Sequence, residues 1–409
     1  MRLAVVTPFV DRQHGTERAL AELLDHLTRE HACEVHLYAG RVDDLTVTSP
    51  SADARPDASG ATQSGSITWH RVPSLPGPHH FKFLFWFAAN TVMRWWDRMV
   101  RGLRFDLVLS PGINCLDADF VVVHALFCRL RELSREERSQ DSTPESGGAG
   151  VLRQLHRRAY YATVAALERI VYTNRKTRLA AVSQRTAELL GRYFGRNDVA
   201  VIFNGIDTVQ FSLPARLARR QGARFRRKFS DSEIVLLLIG NDWRVKGLPA
   251  VLEAVAATPD LPLRLIVGGS DVATNFQRAA QQLGIAGRCQ WEPPRADVID
   301  FYAAADIYVS PSKEDSFGLP VAEAMACGLP VITSKFAGVS ELIQSDRDAF
   351  VLSNPADAGA LAEFLRKLCA DSMLRTSVGE AAAATAQNWT WERNAAEMWK
   401  WLQTGKSAC

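Results

Sequence analysis

The spacing of apolar residues predicts a β-α-β unit at the start of the chain. Residues 2–8 form a continuous apolar run, which is typical of a parallel strand covered on both faces. Residues 16–30 then place apolar side chains at helical spacing, and residues 34–39 return to a strand pattern. This alternation is typical of α/β proteins that are built on a parallel sheet.

Further strand patterns fall into two series, each with helical patterns between the strands. The first series continues with residues 105–110, 120–124 and 179–183. The second series contains residues 234–240, 263–268, 288–292, 307–310, 330–333 and 350–352. The two series predict two doubly wound α/β domains.

The change of pattern near residue 205 places the domain boundary between about 187 and 215. A chain of 409 residues exceeds what a single hydrophobic core usually supports. We therefore assign residues 1–187 to an N-terminal domain and residues 188–385 to a C-terminal domain, followed by a C-terminal helical segment, residues 386–409. A basic segment, residues 216–228, precedes the second series.

Two segments rich in small and polar residues interrupt the pattern. Residues 49–66 contain mostly Ser, Ala, Pro, Asp and Gly, and residues 139–150 are rich in Ser, Gly and Glu. Both compositions predict surface loops.

Composition and charge restrict the class of protein. A hydrophobic content of 47% with 23% charged residues is typical of a soluble globular protein, and a net charge of +3 argues against nucleic acid as a partner. The seven cysteines are scattered without a CxxC pair, which predicts a reducing, cytoplasmic location and neither a disulfide framework nor a zinc site. The N-terminus lacks a basic region and is interpreted as a strand, not a signal peptide. Residues 83–93 form the most apolar run, which is too short to span a bilayer.

Residues 306–333 carry the pattern that points to chemistry. A strand ends at Ser310, a polar loop follows, and a helix begins near Leu319 and ends at Gly328. Pro320 lies in the first helical turn, where its missing N–H is harmless.

The start of this helix is suited to a nucleotide. Ligands of open α/β sheets bind beyond the carboxyl ends of strands, and a helix N-terminus offers N–H groups and partial positive charge to a phosphate. Glu323, one turn inside the helix, can accept hydrogen bonds from ribose hydroxyls. Asp315, in the preceding loop, can reach the sugar side of the same ligand.

This pattern resembles the acid-x7-acid motif of glycosyltransferase family 4, a retaining group with the GT-B fold. Residues 317–320, 323–331 and 338–341 match the surroundings of that motif. Asp315 stands where the family usually has Glu. Because Asp is one methylene shorter, the identity of the donor sugar stays open.

Other segments extend the resemblance over essentially the whole chain. Residues 237–247 resemble the family's strand–Gly–x–Lys-Gly turn, in which Arg244 and Lys246 would hold the donor diphosphate. Residues 204–207, Asn-Gly-Ile-Asp, resemble a signature near the cleft. Gly15 resembles the family's first glycine loop, and His124 the strand-end histidine beside the transferred sugar.

The resemblance implies two Rossmann-like domains that face a cleft, with the C-terminal helix crossing back to the first. The first domain would hold the acceptor and the second the donor. It also implies that a hexosyl group is moved with retention from a nucleotide sugar, such as a UDP- or GDP-hexose, to a saccharide or lipid-linked acceptor in polysaccharide, lipopolysaccharide or glycolipid assembly. The nucleotide sugar is a co-substrate, and neither a further cofactor nor a metal is expected.

The candidate site residues follow from this match. We predict four catalytic residues, namely Asp315, His124, Lys246 and Arg244. The predicted substrate-binding residues are Gly15, Glu323, Ser316, Phe317, Gly318 and Leu319.

Rival interpretations remain for the same residues. Asp315 and Glu323 could serve as the acid pair of a glycoside hydrolase, or the site could belong to a nucleotide-sugar epimerase or a non-catalytic binder. Asp117 and Asp119 form a DxD string, but an apolar strand follows it in the other domain, which argues against a metal site.

An aromatic and basic helical stretch has two interpretations. Its residues are Trp86, Trp95 and Trp96 with Arg94, Arg98, Arg101 and Arg104. They would form either a packed core side with a solvated face or a face that lies on an anionic membrane.

Overall fold

The structure is a computed structural model that describes residues 1–12, 15–49, 65–140 and 148–405. The chain forms two compact units. Met1–Ile202 and Asn394–Cys409 make up the first unit, and Phe203–Arg393 make up the second.

The first unit is a parallel sheet with helices along its connections. Its strands are β1 (Arg2–Val6), β2 (Phe9–Val10), β3 (Glu34–Ala39), β4 (Arg41–Val42), β5 (Ser66–Arg71), β6 (Leu107–Pro111), β7 (Phe120–Val123), β8 (Arg178–Ala181) and β9 (Ala200–Val201). Its helices are α1 (Gly15–His31), α2 (His79–Met99), α3 (Phe127–Gln140), α4 (Gly148–Thr173) and α5 (Gln184–Phe194). The main sheet has the order β5-β3-β1-β6-β7-β8-β9, and β2 pairs separately with β4.

The second unit repeats the same winding. Its strands are β10 (Ile234–Ile239), β11 (Leu263–Gly268), β12 (Cys289–Glu292), β13 (Ile307–Ser310), β14 (Val331–Ser334) and β15 (Phe350–Leu352), in the order β12-β11-β10-β13-β14-β15. Its helices are α6 (Leu213–Arg227), α7 (Leu248–Ala256), α8 (Thr274–Gln282), α9 (Ile299–Ala304), α10 (Leu319–Ala326), α11 (Ala358–Ala370), α12 (Ser372–Ala386) and the start of α13 (Trp391–Gln403), with 3-10 turns at Ala286–Arg288 and Gly338–Leu342. The predicted class, two doubly wound α/β domains, is confirmed.

Continuous apolar strands explain these sheets. The β10 sequence IVLLLI is buried from its second residue onward, as expected for a central strand covered on both faces. Its neighbours β11 and β13 pair with it in parallel, for example Leu236 with Leu265 and with Ile307. The core of this unit lies between the sheet and α7 and α11.

The predicted loops need correction. Most of the segment 49–66 lies outside the described residues, but Ser66 begins β5, an edge strand whose alternating exposure hides it from an apolar-run search. In the segment 139–150, residues 141–147 lie outside the described residues. The residues on either side belong to α3 and α4, and not to a loop.

The units divide between Ile202 and Phe203, within the predicted range of about 187 to 215 but after the assigned residue 187. Helix α5 and strand β9 still belong to the first unit, because β9 pairs with β8 and extends that sheet. The last helix, α13, returns to the first unit, where Trp401 packs edge-on against Phe120 at 4.6 Å between ring centroids. Trp399 stacks on His31 at 4.3 Å.

Candidate functional site

The strand order of the second unit defines where a ligand is expected. Neighbouring strands β10 and β13 lie where the winding reverses direction, so the chain continues from them toward opposite edges of the sheet. In doubly wound sheets ligands bind at this switch point, beyond the carboxyl ends of the strands. The loop after β10 and the loop after β13 carry most of the predicted site residues.

The loop after β13 is held by the loop after β14. The Asp315 amide donates to the Phe336 carbonyl at 3.0 Å, and the Gly338 amide donates to the Asp315 carbonyl at 2.9 Å. The Val339 amide donates to the Phe317 carbonyl at 2.6 Å. These backbone bonds fix the position of Asp315, and they explain why the sequence following β14 belongs to the same motif.

Helix α10 begins as the sequence predicts. Gly318 is its N-cap, with φ of 95°, and no side chain caps the first turn. Such a φ favours glycine, and a Cβ there would lie 3.3 Å from Val339 Cγ1. Of the predicted neighbours, Phe317 and Leu319 are buried and Ser316 is partly buried. A helix start without a side-chain cap can direct its N–H groups to a phosphate.

Glu323 lies one turn into α10 and is 2% exposed. Its Oε2 accepts a hydrogen bond from the Tyr302 hydroxyl at 2.6 Å. The sequence analysis missed Tyr302, which lies on α9. The one sequence signal for Tyr302 is its position in the helix that precedes β13.

The loop after β10 carries Lys246 and Arg244. Asp271 braces this loop, because its carboxylate accepts from the Asp242 amide at 2.9 Å and from the Trp243 amide at 2.7 Å. Gly247 ends the loop with φ of 83° as the N-cap of α7, again without a side-chain cap. Arg244 lies in the same turn and is partly buried.

The two loops meet. The Lys313 amide donates to the Val245 carbonyl at 2.7 Å, and a Cβ on Gly247 would lie only 2.2 Å from the Pro311 carbonyl oxygen. The Lys246 ammonium forms an ion pair with the Asp315 carboxylate. The structure thus brings together a cation and an acid that the sequence places 69 residues apart.

The predicted residues of the first unit are described within that unit. His124 directly follows β7 and is partly buried. Burial lowers its pKa to about 4, so the imidazole is neutral at neutral pH. Gly15 is the first residue of α1 and is exposed, while residues 13–14 before it lie outside the described residues.

A buried glutamate secures the segment after His124. Glu168 of α4 accepts hydrogen bonds from the Phe127 amide at 2.6 Å and from the Cys128 amide at 2.9 Å, and so caps the N-terminus of α3. No local sequence pattern indicates this cap, because Glu168 lies 41 residues from Phe127.

The DxD string has structural partners. Asp117 pairs with the buried Arg94 at 2.6 Å, and the Asp119 carboxylate accepts from the Val108 amide at 2.8 Å. Within the described ranges, no group of three or more His, Cys, Asp and Glu side chains could hold a metal ion.

Two residues of the predicted aromatic and basic stretch on α2 are buried and do not belong to an exposed face. Trp86 and Arg94 face inward and are 3% and 1% exposed. The outer face instead carries residues that are each half or more exposed, namely Phe81, Val92, Trp95, Trp96, Met99 and Val100. No helix in the described part of the chain is long and apolar enough to cross a membrane.

Comparison with known families agrees with this architecture. A family model described as "Glycosyltransferase Family 4" matches residues 14–210, and one described as "Glycosyl transferases group 1" matches residues 220–385. The chain is 29% identical over 230 residues to a D-inositol 3-phosphate glycosyltransferase of Xylanimonas cellulosilytica, an alignment that covers 54% of this chain and 55% of the relative. The chain thus spans about half the length of the first curated relatives it matches.

Solved structures share the fold. WaaG, a glycosyltransferase involved in lipopolysaccharide biosynthesis, superposes with a TM-score of 0.73 at 20% identity, covering 97% of this chain and 98% of WaaG. Anabaena HepE, crystallised in complex with UDP-glucose, superposes with a TM-score of 0.68 at 17% identity, covering 99% and 100% of the two chains. The likeness identifies the GT-B fold.

Proposed function

We propose that this chain, which belongs to glycosyltransferase family 4, transfers a hexosyl group from a nucleoside diphosphate sugar to an acceptor hydroxyl with retention of anomeric configuration. The observation that carries the proposal is the Lys246–Asp315 ion pair at the switch point, beside the uncapped start of α10. A relative of the same fold crystallised with UDP-glucose supports this choice of donor class.

The donor would occupy the carboxyl edge of the second sheet. Ribose hydroxyls donate to Glu323, and the diphosphate lies at the N-terminus of α10, where the amides of Ser316 to Leu319 are within the same turn. Lys246 and Arg244 neutralise the diphosphate charge. Binding exchanges the Lys246–Asp315 pair for a Lys246–phosphate contact, which leaves Asp315 to accept from a hydroxyl of the hexose.

The transfer step needs charge stabilisation more than a protein nucleophile. In the donor complex Asp315 accepts from a hydroxyl of the hexose, and Glu323 is buried against Tyr302 and faces the ribose, so neither carboxylate acts as the nucleophile. The bond between the anomeric carbon and the phosphate oxygen breaks as the acceptor oxygen bonds on the same face. The acceptor proton passes to the departing phosphate, and Lys246 stabilises the negative charge that develops there.

His124 contributes as a neutral group. With its pKa near 4, the imidazole can donate or accept a hydrogen bond without adding charge, and its contact with the transferred sugar stays a prediction. The approach of a phosphate to the backbone at Gly15, the first residue of α1, also stays a prediction.

The positive charge on Lys246 and Arg244 performs the task that a divalent cation performs in metal-dependent transferases. We therefore expect transfer to continue unchanged in EDTA. A loss of activity in EDTA that Mg²⁺ or Mn²⁺ restores would contradict this part of the proposal.

The function is tested with a panel of UDP-, GDP- and ADP-hexoses and saccharide or lipid-linked acceptors. A cognate donor at 100 times its dissociation constant should add about 2.7 kcal/mol of stability, and this thermal shift selects the donor. NMR of the product should then show the retained anomeric configuration. Inverted product, isomerised donor without acceptor, or cleavage of an oligosaccharide without donor would each contradict the proposal.

The outer face of α2 suits a lipid-linked acceptor. Its exposed apolar residues are accompanied by Lys82, Arg98, Arg101 and Arg104, all of which are exposed. An apolar helix face with cations beside it binds anionic membranes through both buried apolar area and charge attraction. We propose peripheral binding on the cytoplasmic face of a membrane, with lipopolysaccharide, polysaccharide or glycolipid assembly as the setting.

A further inference from the structure

A buried tyrosine lies behind the proposed nucleoside-binding glutamate. Tyr302 belongs to α9, and its side chain is fully buried. Its hydroxyl lies 2.6 Å from Glu323 Oε2 and 3.2 Å from the Pro320 carbonyl oxygen. A phenol has one proton to donate, and the shorter contact to the carboxylate identifies the acceptor.

The contact has the geometry of a charge-assisted bond. Distances of about 2.5–2.7 Å are typical of a hydroxyl that donates to a carboxylate. Burial and the nearby Glu323 charge raise the pKa of the Tyr302 hydroxyl well above its ordinary value, so the phenol keeps its proton. The bond is therefore present throughout the working range of an enzyme.

Helix α9 is itself held firmly in place. The Arg227 guanidinium contacts the Asp300 carboxylate at 2.8 Å, and Arg224 donates to the Ala304 carbonyl at 3.3 Å. The Tyr302 ring packs edge-on against Phe211, with 5.7 Å between ring centroids. The hydroxyl thus approaches α10 from a braced neighbouring helix.

We infer that Tyr302 is a positioning residue for nucleotide binding, which holds the Glu323 carboxylate in one orientation for the ribose hydroxyls. The inference rests on the proposed function, because Glu323 matters only if a nucleoside binds there. Tyr302 acts through Glu323 and does not touch the reacting atoms. Its removal should therefore weaken donor binding more than it slows the chemical step.

The test is the Tyr302→Phe variant of the full chain, which keeps the ring and removes the hydroxyl. Loss of a hydrogen bond to a charged group should raise KM for the donor by about tenfold to hundredfold, with kcat changed by less than about threefold.

Tyr308→Phe is the matched control. Tyr308 is equally buried on β13, its ring lies 6.2 Å from that of Tyr302, and its hydroxyl donates to the Ile239 carbonyl at 3.4 Å. This variant loses a buried hydroxyl that donates to a backbone carbonyl and not to Glu323, so its KM for the donor should stay close to that of the parent. A KM increase of equal size in both variants would overturn the inference, because it would indicate a general effect of a lost buried hydroxyl.

Calorimetric titration with UDP, GDP and ADP separates this inference from the proposed function. If Glu323→Gln binds the preferred nucleotide as tightly as the parent, the nucleoside role of Glu323 fails, and the inference fails with it. If Glu323→Gln weakens binding but Tyr302→Phe does not, only the inference fails. When Tyr302→Phe is added to Glu323→Gln, nucleotide binding should weaken by less than about a further threefold. A full additional loss of affinity in the double variant would show that Tyr302 does not act through Glu323.

Discussion

Helices α2 and α6 have similar ingredients, yet the chain uses them in opposite ways. Both combine arginines with large apolar residues, two arginines in α2 and six in α6. In α6 the arginines Arg216, Arg224 and Arg227 are buried. In α2 the outer face exposes apolar residues, and Arg98 is exposed.

Acidic partners account for the difference. Arg227 contacts Glu292 of β12 and Asp300 of α9. Arg224 contacts Asp306, which follows α9, so α6 is held against α9 and its neighbours. Helix α2 has acidic partners too, since Asp117 contacts Arg94 and Arg98, but only Arg94 of these two arginines is buried. A basic helix therefore braces a domain where acids bury most of its cations, and presents a surface where its outer positions are apolar.

The largest expected effect is on stability, through the ion pairs that hold α6 against α9. Arg227→Ala removes the buried cation that Glu292 and Asp300 share. Because Arg226 and Arg295 still contact these acids, the cost should be about 3 kcal/mol of unfolding free energy in urea, the lower end for a broken buried pair. Arg219→Ala is the matched control, because Arg219 lies on the same helix and forms an exposed pair with Asp297. Its change should stay within about 0.5 kcal/mol. Equal changes in the two variants would contradict the bracing role.

The next effect concerns the site that α6 helps to support. Lys246→Ala should lower kcat/KM by about 100-fold to 1000-fold, because it removes the cation beside the departing phosphate. Lys367→Ala, which changes a lysine on α11 of the same unit, should keep parental kinetics. If Lys246→Ala retains full activity, the assignment of the leaving-group cation is wrong.

A smaller effect comes from the inner side of α2. Asp97 contacts His70 Nδ1 at 3.0 Å, and His70 Nε2 lies 2.9 Å from His36 Nδ1. Tyr38, Arg101 and Glu34 complete the charged and titratable groups around this histidine pair.

Burial lowers the pKa of His70 from 6.5 to about 4, and it lowers that of His36 too. As the pH drops, the histidines of the unfolded chain therefore take up protons before those of the folded chain. The histidine contribution to the unfolding free energy is fully present at pH 7 and is lost as the pH drops from about 6.5 to about 4. For His70 the loss should reach at most about 3 kcal/mol, measured by urea unfolding across this range. Stability that stays constant over the window in the parent, or a drop that persists unchanged in His70→Gln, would contradict this assignment.

The smallest effect is on the outer face of α2. Replacing Trp95 and Trp96 by Ser should weaken binding to anionic phospholipid vesicles about tenfold in a sedimentation assay, since each removes exposed apolar area that lipid would cover. Phe225→Ser is the control, because Phe225 is also an exposed aromatic residue, at 83%, but lies on α6. Binding to zwitterionic vesicles should be weaker for every variant. Equal loss in the control and the tryptophan variant would remove the distinction between the two helices.

The sequence predicts the local structure around Asp315 for a physical reason. Asp315, Gly318 and Glu323 lie on one strand–loop–helix unit, so their mutual positions follow from local rules of turns and helix starts. Lys246 could be placed with them because the carboxyl ends of parallel strands share one edge. The predicted helix start, Leu319, is confirmed. The helix ends at Ala326, slightly before the predicted Gly328, which follows the C-cap Cys327 with φ of 68°.

Features that depend on distant partners could not be predicted. Tyr302 contacts Glu323, 21 residues away in the sequence. The composition of the basic segment, residues 216–228, does not show that its arginines pair with Asp300 and Asp306. Strand β5 is an edge strand with polar positions, so its pattern is weak. Trp86 and Arg94 face inward because packing against the sheet decides which side of α2 is buried, and this also could not be predicted.

The central claim is that the switch point of the second unit binds a nucleoside diphosphate sugar. Its most direct test is a crystal structure of the full chain with the nucleoside diphosphate that binds most tightly in titration. The account predicts ribose hydroxyls within hydrogen-bond distance of Glu323 and diphosphate oxygens beside Lys246 at the start of α10. A nucleotide bound elsewhere, or one at this edge with the Lys246–Asp315 pair intact and Glu323 out of reach, would contradict it.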